Sequence, residues 1–245
     1  FFMKHEEKIN TPKVLITSFI LAGIPLALIL KQPDLSTTIV TALIFAALLF
    51  VAGLSYKIVV GVLAVSIPSA VILFTLLIQD KSYQVTRVMA WLYPDDYPAD
   101  AYQQQNSIMA IGSGQLWGKG LNNTDATSVK NGNFIPEPQT DFIFAVAGEE
   151  LGFIGTVIII ILLLFITIEC ILIARKAKDT AGKMICCGFA ALVGFQSLVN
   201  IGVASGVLPN TGLPLPFVSY GLTSLLSLYI GVGLVLNVGL QPKKY

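Results

Sequence analysis

The sequence has 245 residues, of which 55% are hydrophobic and only 12% are charged, and its formal net charge is +1. Soluble domains carry about 25% charged residues, so this composition excludes an ordinary soluble protein and predicts an integral membrane protein. A net charge near zero without a basic stripe also excludes nucleic acid as a partner.

Six apolar runs are each long enough to span a membrane, since about 17–25 residues cross the hydrocarbon core as a helix. They are Val14–Leu30, Ser36–Leu54, Ile58–Ile78, Phe142–Ala174, Met184–Leu208 and Leu222–Leu240. The sequence therefore predicts an all-α polytopic helical bundle that forms a single membrane domain over residues 1–245. The fourth run is longer than the hydrocarbon core is thick, so we expect Glu149 and Glu150 to stand above the lipid or inside protein.

Basic residues fall unequally on the two sides of these runs. One side receives ten of the 15 Lys and Arg residues, namely Lys4, Lys8, Lys13, Lys57, Arg175, Lys176, Lys178, Lys183, Lys243 and Lys244. By the positive-inside rule this side is cytoplasmic. The loop at about residues 80–140 is then extracytoplasmic.

That loop is too long for a passive connection, and long ordered loops are usually functional. We expect a short helix at Asn106–Ile111, followed by a mobile glycine-rich turn at Gly112–Gly120. A phosphate cradle is an alternative interpretation of this turn, although its spacing does not match a P-loop. Further on, Pro136 and Pro138 hold the chain extended.

Asp141 lies where the extended loop becomes the fourth apolar run. One face of the predicted helix carries Asp141, Ala145, Gly148, Gly152 and Gly155. The small residues of this face allow a neighbouring element to approach closely. The sequence thus predicts a carboxylate at the mouth of a tightly packed bundle. The alternative is that Asp141 is only an N-terminal cap, assisted by Thr140.

A second irregular stretch, Leu208–Gly221, separates the last two apolar runs. Its three prolines and two glycines cannot continue a helix. Unpaired backbone at membrane depth is tolerated only against protein or a wet cavity. We therefore interpret the stretch as a re-entrant segment facing the same vestibule as Asp141, with an ordinary exposed turn as the alternative.

Four ionisable residues are predicted to line one outward cavity, because such residues near a bilayer commonly mark substrate paths. They are Asp34, Arg87, Lys119 and Asp141. Asp34 has a second interpretation, as a cap of the second helix. The three cysteines, Cys170, Cys186 and Cys187, have neither metal-ligand spacing nor a disulfide framework.

These segments together resemble the SEDS family of shape, elongation, division and sporulation proteins, typified by RodA and FtsW. The motifs that carry the resemblance are Gln32–Leu35, Ile111–Gly120, Pro136–Val146, Gly148–Gly152 and Leu213–Gly221. The family fold has about ten spans of the length that a bilayer requires, so the chain is expected to be its C-terminal six-span portion. The RodA-like branch is favoured by Gly118-Lys119-Gly120. Gln139 and Leu222 depart from the usual pattern, where many members have His and Gly.

The resemblance implies a peptidoglycan glycosyltransferase that polymerises lipid II, an undecaprenyl-pyrophosphate-linked precursor, during cell-wall elongation, cell-shape maintenance or division. The site would face outward from the bacterial cytoplasmic membrane, and the implied partner is a class B penicillin-binding protein. Asp141 is the expected general base, with Arg87 and Lys119 near the departing pyrophosphate. The other expected substrate-binding residues are Asp34, Glu137, Ser219 and Tyr220. A divalent cation, Mg or Mn, together with Asp34, would share with Arg87 and Lys119 the role of stabilising the departing pyrophosphate.

A flippase that moves lipid-linked precursors without covalent chemistry is the alternative function. It explains the spans and the polar vestibule equally well. However, coupled transporters keep ionisable groups near mid-membrane, and none of the six predicted spans has an acidic residue near its centre. The sequence therefore favours the enzyme.

Overall fold

The computed structural model describes residues 1–5, 8–32, 34–61, 64, 83–121, 128, 132, 134–136 and 138–241. After a short 3-10 turn at Phe2–Lys4, its helices are α1 (Pro12–Lys31), α2 (Leu35–Val51), α3 (Tyr83–Leu92), α4 (Pro98–Ser113), α5 (Ile143–Lys176), α6 (Thr180–Ala204) and α7 (Leu222–Leu240). Residues 56–61 are also helical. The predicted all-α class is confirmed.

Four of the described helices, α1, α5, α6 and α7, are long and apolar enough to cross a membrane. The α2 helix is apolar but shorter. Most of the predicted run Ile58–Ile78 lies outside the described residues, so the count of six spans stays a prediction. The helical membrane architecture itself is established.

The chain forms two compact units. The first comprises Phe1–Val85, Cys170–Leu192 and Leu234–Tyr245, and the second comprises Thr86–Glu169 and Val193–Gly233. Helices α5, α6 and α7 each contribute residues to both units. Asp34 belongs to the first unit, whereas Arg87, Lys119, Asp141, Ser219 and Tyr220 belong to the second. That the whole chain is one domain stays a prediction.

In the first unit, polar side chains fix the ends of α1 and α2. The Asn10 amide donates to the carbonyl of Gly53 (3.1 Å) and accepts from the amide of Ser55 (2.8 Å). At the start of α2, the Asp34 carboxylate accepts from the backbone amide (2.9 Å) and hydroxyl (2.6 Å) of Thr37. The capping interpretation of Asp34 is confirmed, because its oxygens satisfy donors that the first helical turn leaves unpaired.

In the second unit, α5 is kinked at Gly152, whose φ of 68° and ψ of −167° are not helical. In a continuous helix the Phe153 amide would bond to Glu149 and the Ile154 amide to Glu150. Instead, the glycine-rich turn after α4 replaces both bonds. The four bonds are Phe153 N to Gln115 O (2.7 Å), Ile154 N to Leu116 O (3.2 Å), Lys119 N to Glu149 O (2.9 Å) and Gly120 N to Glu150 O (3.0 Å). The turn that was predicted to be mobile is thus bound to α5, and no backbone group freed at these two positions is left without a partner.

The close approach of this turn depends on glycine. A Cβ at Gly114 would overlap the carbonyl of Gly148, and one at Gly118 would overlap the carbonyl of Glu150. Likewise, a Cβ at Gly148 would lie 2.9 Å from the Ile111 side chain. The prediction that the Gly148 face permits close packing is confirmed. The neighbour is the end of α4 with the turn that follows it.

Candidate active site

The candidate site lies where the turn before α5 meets the irregular segment Leu208–Gly221. The Ser219 hydroxyl donates to the carbonyl of Thr140 (2.6 Å) and accepts from the amide of Leu215 (2.6 Å). One residue further, the amide of Tyr220 donates to the carbonyl of Gln139 (2.9 Å). The segment therefore packs against the residues that precede Asp141, which favours the interpretation that it lies beside this residue. That it re-enters the membrane and faces a vestibule stays a prediction.

The side chain of Asn200, in α6, forms hydrogen bonds to both of these segments. Its Nδ2 donates to the carbonyl of Asp141 (2.7 Å) and to the carbonyl of Leu213 (2.6 Å). The residue is only 1% exposed. Sequence reasoning missed it, although an amide inside an apolar span was an available signal. Asn200 is thus a positioning residue for the backbone of Asp141.

The Asp141 carboxylate and the Arg87 guanidinium both lie close to Gly212. A Cβ at Gly212 would lie 3.3 Å from Asp141 Oδ2 and 3.9 Å from Arg87 Nη1. Arg87 Nη1 also donates to the carbonyl of Asn210 (3.3 Å). Gly212 has a φ of 71°, and its lack of a side chain leaves room for both charged groups. A carboxylate, which can accept a proton, and a guanidinium, whose geometry suits phosphate, thus lie near the same glycine.

Lys119 lies at a different contact, the junction of the glycine-rich turn with α5. Its Nζ is 2.8 Å from Glu149 Oε1, and the two side chains are 29% and 3% exposed. The pair borders a pocket of about 240 Å³ whose remaining walls are Asn106, Met109, Ala110, Ser113 and Phe134. Lys119 is thus an ion-pair partner of the buried Glu149 side chain. The role of Lys119 near a pyrophosphate stays a prediction.

The structure gives less information on the remaining predicted site residues. Glu137 lies outside the described residues. The side chain of Tyr220 is 74% exposed, so it is accessible to a ligand. The substrate contact of Asp34 and the divalent cation stay predictions. Among the residues that the structure describes, no group of three His, Cys, Asp or Glu side chains could hold a metal ion.

Comparison with known proteins identifies the family of this chain. The profile of the FtsW/RodA/SpoVE family, described as "Cell cycle protein", matches residues 2–244. The chain belongs to this family. The predicted SEDS membership is therefore confirmed over nearly the whole chain.

Two curated members illustrate the relationship. The chain is 38% identical to "Probable peptidoglycan glycosyltransferase FtsW" of Escherichia coli O6:H1, over 88% of this chain and 51% of the relative. It is 39% identical to "Peptidoglycan glycosyltransferase MrdB" of Escherichia coli K12, over 92% and 60%. The chain thus spans about half to three-fifths of the length of these family members. Because the two identities are nearly equal, the RodA-like branch stays a prediction.

Solved structures of the family have the same helical architecture. A chain of the solved structure "Structural coordination of polymerization and crosslinking by a peptidoglycan synthase complex" matches with a TM-score of 0.74 and 30% identity, covering 94% of this chain and 63% of that one. The rod shape determining protein RodA of Thermus thermophilus matches with a TM-score of 0.59 and 27% identity, covering 98% and 62%. Family membership and a multi-pass helical fold therefore rest on sequence and structure together.

Proposed function

We propose that this chain carries the site of a peptidoglycan glycosyltransferase that polymerises lipid II. The observation that carries the proposal is that the Asp141 carboxylate and the Arg87 guanidinium both lie close to Gly212. Glycosyl transfer from a pyrophosphate-linked donor needs a base for the attacking hydroxyl and a cation for the leaving group. Two family members carry the name peptidoglycan glycosyltransferase, which supports the same chemistry here.

In the proposed reaction, Asp141 accepts the proton of the acceptor sugar hydroxyl. The hydroxyl oxygen forms a bond to the anomeric carbon of the donor sugar, and the bond from that carbon to the pyrophosphate oxygen breaks. The leaving group takes the electron pair, and Arg87 stabilises its added negative charge. Asn200 and Ser219 hold the backbone on which Asp141 is placed. Tyr220 and Lys119 are proposed to contact parts of the substrate that Asp141 and Arg87 do not contact.

The site is further proposed to face the outside of the bacterial cytoplasmic membrane, with a class B penicillin-binding protein as partner. The distribution of basic residues supports the orientation. The partner is supported by the similar peptidoglycan synthase complex, in which polymerisation and crosslinking are coordinated. A cross-linking enzyme is the natural consumer of newly made glycan strands.

Replacement of Asp141 by Asn in the whole protein tests this function. The expected result is a loss of lipid II polymerisation of about 10²–10⁴-fold, the usual contribution of a general base. Asp100→Asn is the matched control, since Asp100 is an exposed residue of α4 and should keep the wild-type rate. Polymerisation at the wild-type rate by Asp141→Asn would refute the base assignment. Transfer of labelled lipid II across vesicles without any polymer would instead support the flippase.

A further inference from the structure

The short link between α5 and α6 forms a basic pocket that is separate from the candidate active site. Helix α5 ends at Lys176 and α6 begins at Thr180, so three residues connect two membrane-crossing helices. The pocket has a volume of about 420 Å³ and contains the side chains of Arg175, Lys178 and Lys183. All of its residues belong to the first compact unit.

The position of this pocket relative to the membrane follows from the length of α5 and from the short connection to α6. Beyond the kink, residues 153–176 of α5 extend over about 36 Å at 1.5 Å per residue, which exceeds a hydrocarbon core of about 30 Å. Because the connection to α6 is so short, both helices leave the membrane at the same level. This length is sufficient to bring Arg175, Lys178 and Lys183 to the level of the lipid phosphates.

The cations of the pocket are available for a ligand. Arg175, Lys178 and Lys183 are all exposed, and within the described ranges of the chain none of them forms a salt bridge. The pocket also contains one carboxylate, that of Asp179, whose Oδ1 accepts a hydrogen bond from the amide of Gly182 (2.8 Å). Asp179 is thus engaged as the cap of α6, and three cations against one carboxylate leave a net positive site.

We propose that this pocket binds the headgroup of an anionic phospholipid, with the lipid phosphate held between Arg175, Lys178 and Lys183. Arg offers a planar fork of donors to phosphate oxygens, and each Lys adds a compact charge. Basic pockets at the ends of membrane helices are suited to such headgroups. A free inorganic phosphate has the same charge chemistry but no acyl chains to bury beside α5 and α6, so a lipid is the favoured source.

The experiment measures retained lipid on the whole protein by native mass spectrometry. The protein is extracted from vesicles of equal parts phosphatidylcholine and phosphatidylglycerol. We expect wild type to retain phosphatidylglycerol preferentially, and the triple variant Arg175→Gln/Lys178→Gln/Lys183→Gln to lose that preference by about tenfold. The matched control is Lys4→Gln/Lys8→Gln/Lys13→Gln, which removes the same charge from exposed positions outside the pocket and should retain the lipid.

Two further measurements keep the test decisive. Because basic residues also set membrane orientation, Ala177→Leu is included: it adds bulk at the wall of the pocket without removing a charge, and it should lower phosphatidylglycerol retention as well. Inorganic phosphate added during extraction should not displace the lipid. Unchanged retention in both pocket variants, an equal loss in the control, or full displacement by phosphate would each overturn the proposal.

Discussion

At the scale of single residues, the candidate site depends on polar groups that satisfy backbone atoms. Asn200 was not predicted from the sequence and Ser219 was predicted to bind substrate, yet each joins the Asp141 turn to the Leu208–Gly221 segment. A buried carbonyl left without its donor costs about 1–3 kcal/mol. The position of the Asp141 carboxylate therefore rests on side chains that do not themselves react.

Asn200→Ala is expected to lower both thermal stability and lipid II polymerisation, because it leaves the carbonyls of Asp141 and Leu213 without their donor. The expected loss of stability is about 1–3 kcal/mol for two lost hydrogen bonds. Ser197→Ala is the matched control, three residues earlier on the same helix. Its hydroxyl is buried and, among the residues described, has no hydrogen-bond partner, so removing it should be neutral or stabilising.

The variants Asn200→Ala and Ser197→Ala are compared by thermal unfolding in detergent and by steady-state polymerisation of lipid II. A positioning role predicts that the rate of Asn200→Ala at saturating lipid II stays low at temperatures where the variant is fully folded. Recovery of the wild-type rate under those conditions would show that Asn200 serves stability alone.

At the scale of elements, the kink of α5 and the glycine-rich turn after α4 form one interlocked structure. The turn replaces two helical hydrogen bonds of α5, and Lys119 neutralises the buried Glu149 at the same place. Helix kinks are stable where other groups satisfy the freed backbone. The two elements are therefore expected to lose their structure together.

Lys119→Met is expected to destabilise the protein more than the double variant Lys119→Met/Glu149→Gln. The single change removes the ion-pair partner of the 3%-exposed Glu149, and breaking a buried ion pair by removing one partner typically costs about 3–5 kcal/mol. The partial exposure of Lys119 places the effect at the lower end. The double variant removes both charges, so part of the stability should return. Thermal unfolding of the three proteins measures this, and purely additive losses would contradict the interlock.

At the scale of the whole molecule, the membrane orientation follows from the uneven distribution of basic residues. Leu121 is 74% exposed after the glycine-rich turn, and Lys178 is exposed in the link between α5 and α6. In a variant without native cysteines, Leu121→Cys should react with a membrane-impermeant thiol reagent added to intact cells. Lys178→Cys should react only after the membrane is opened. The reverse pattern would place the candidate site in the cytoplasm.

The sequence by itself determined the membrane class, the family and most helix positions, because hydrophobic runs and capping residues act locally. The bounds of α7, Leu222–Leu240, agree with the predicted run, and Asp34 caps α2 through a residue three positions away. By contrast, the kink at Gly152 has no proline to indicate it. Glycine only permits such a bend, and the decision comes from hydrogen bonds to a turn more than 30 residues earlier.

The arrangement of the candidate site was likewise decided by tertiary structure. The sequence placed Asp141 at the start of a helix and the Leu208–Gly221 segment nearby, since charge and proline are visible in the pattern. It did not show that Asn200, 59 residues after Asp141, holds that residue's carbonyl, or that Lys119 pairs with Glu149 across 30 residues. The hydrogen-bond partner of a polar side chain is set only when folding brings distant backbone and side-chain groups together. Burying a polar group without a partner costs free energy, and this cost selects the arrangement in which the groups are paired.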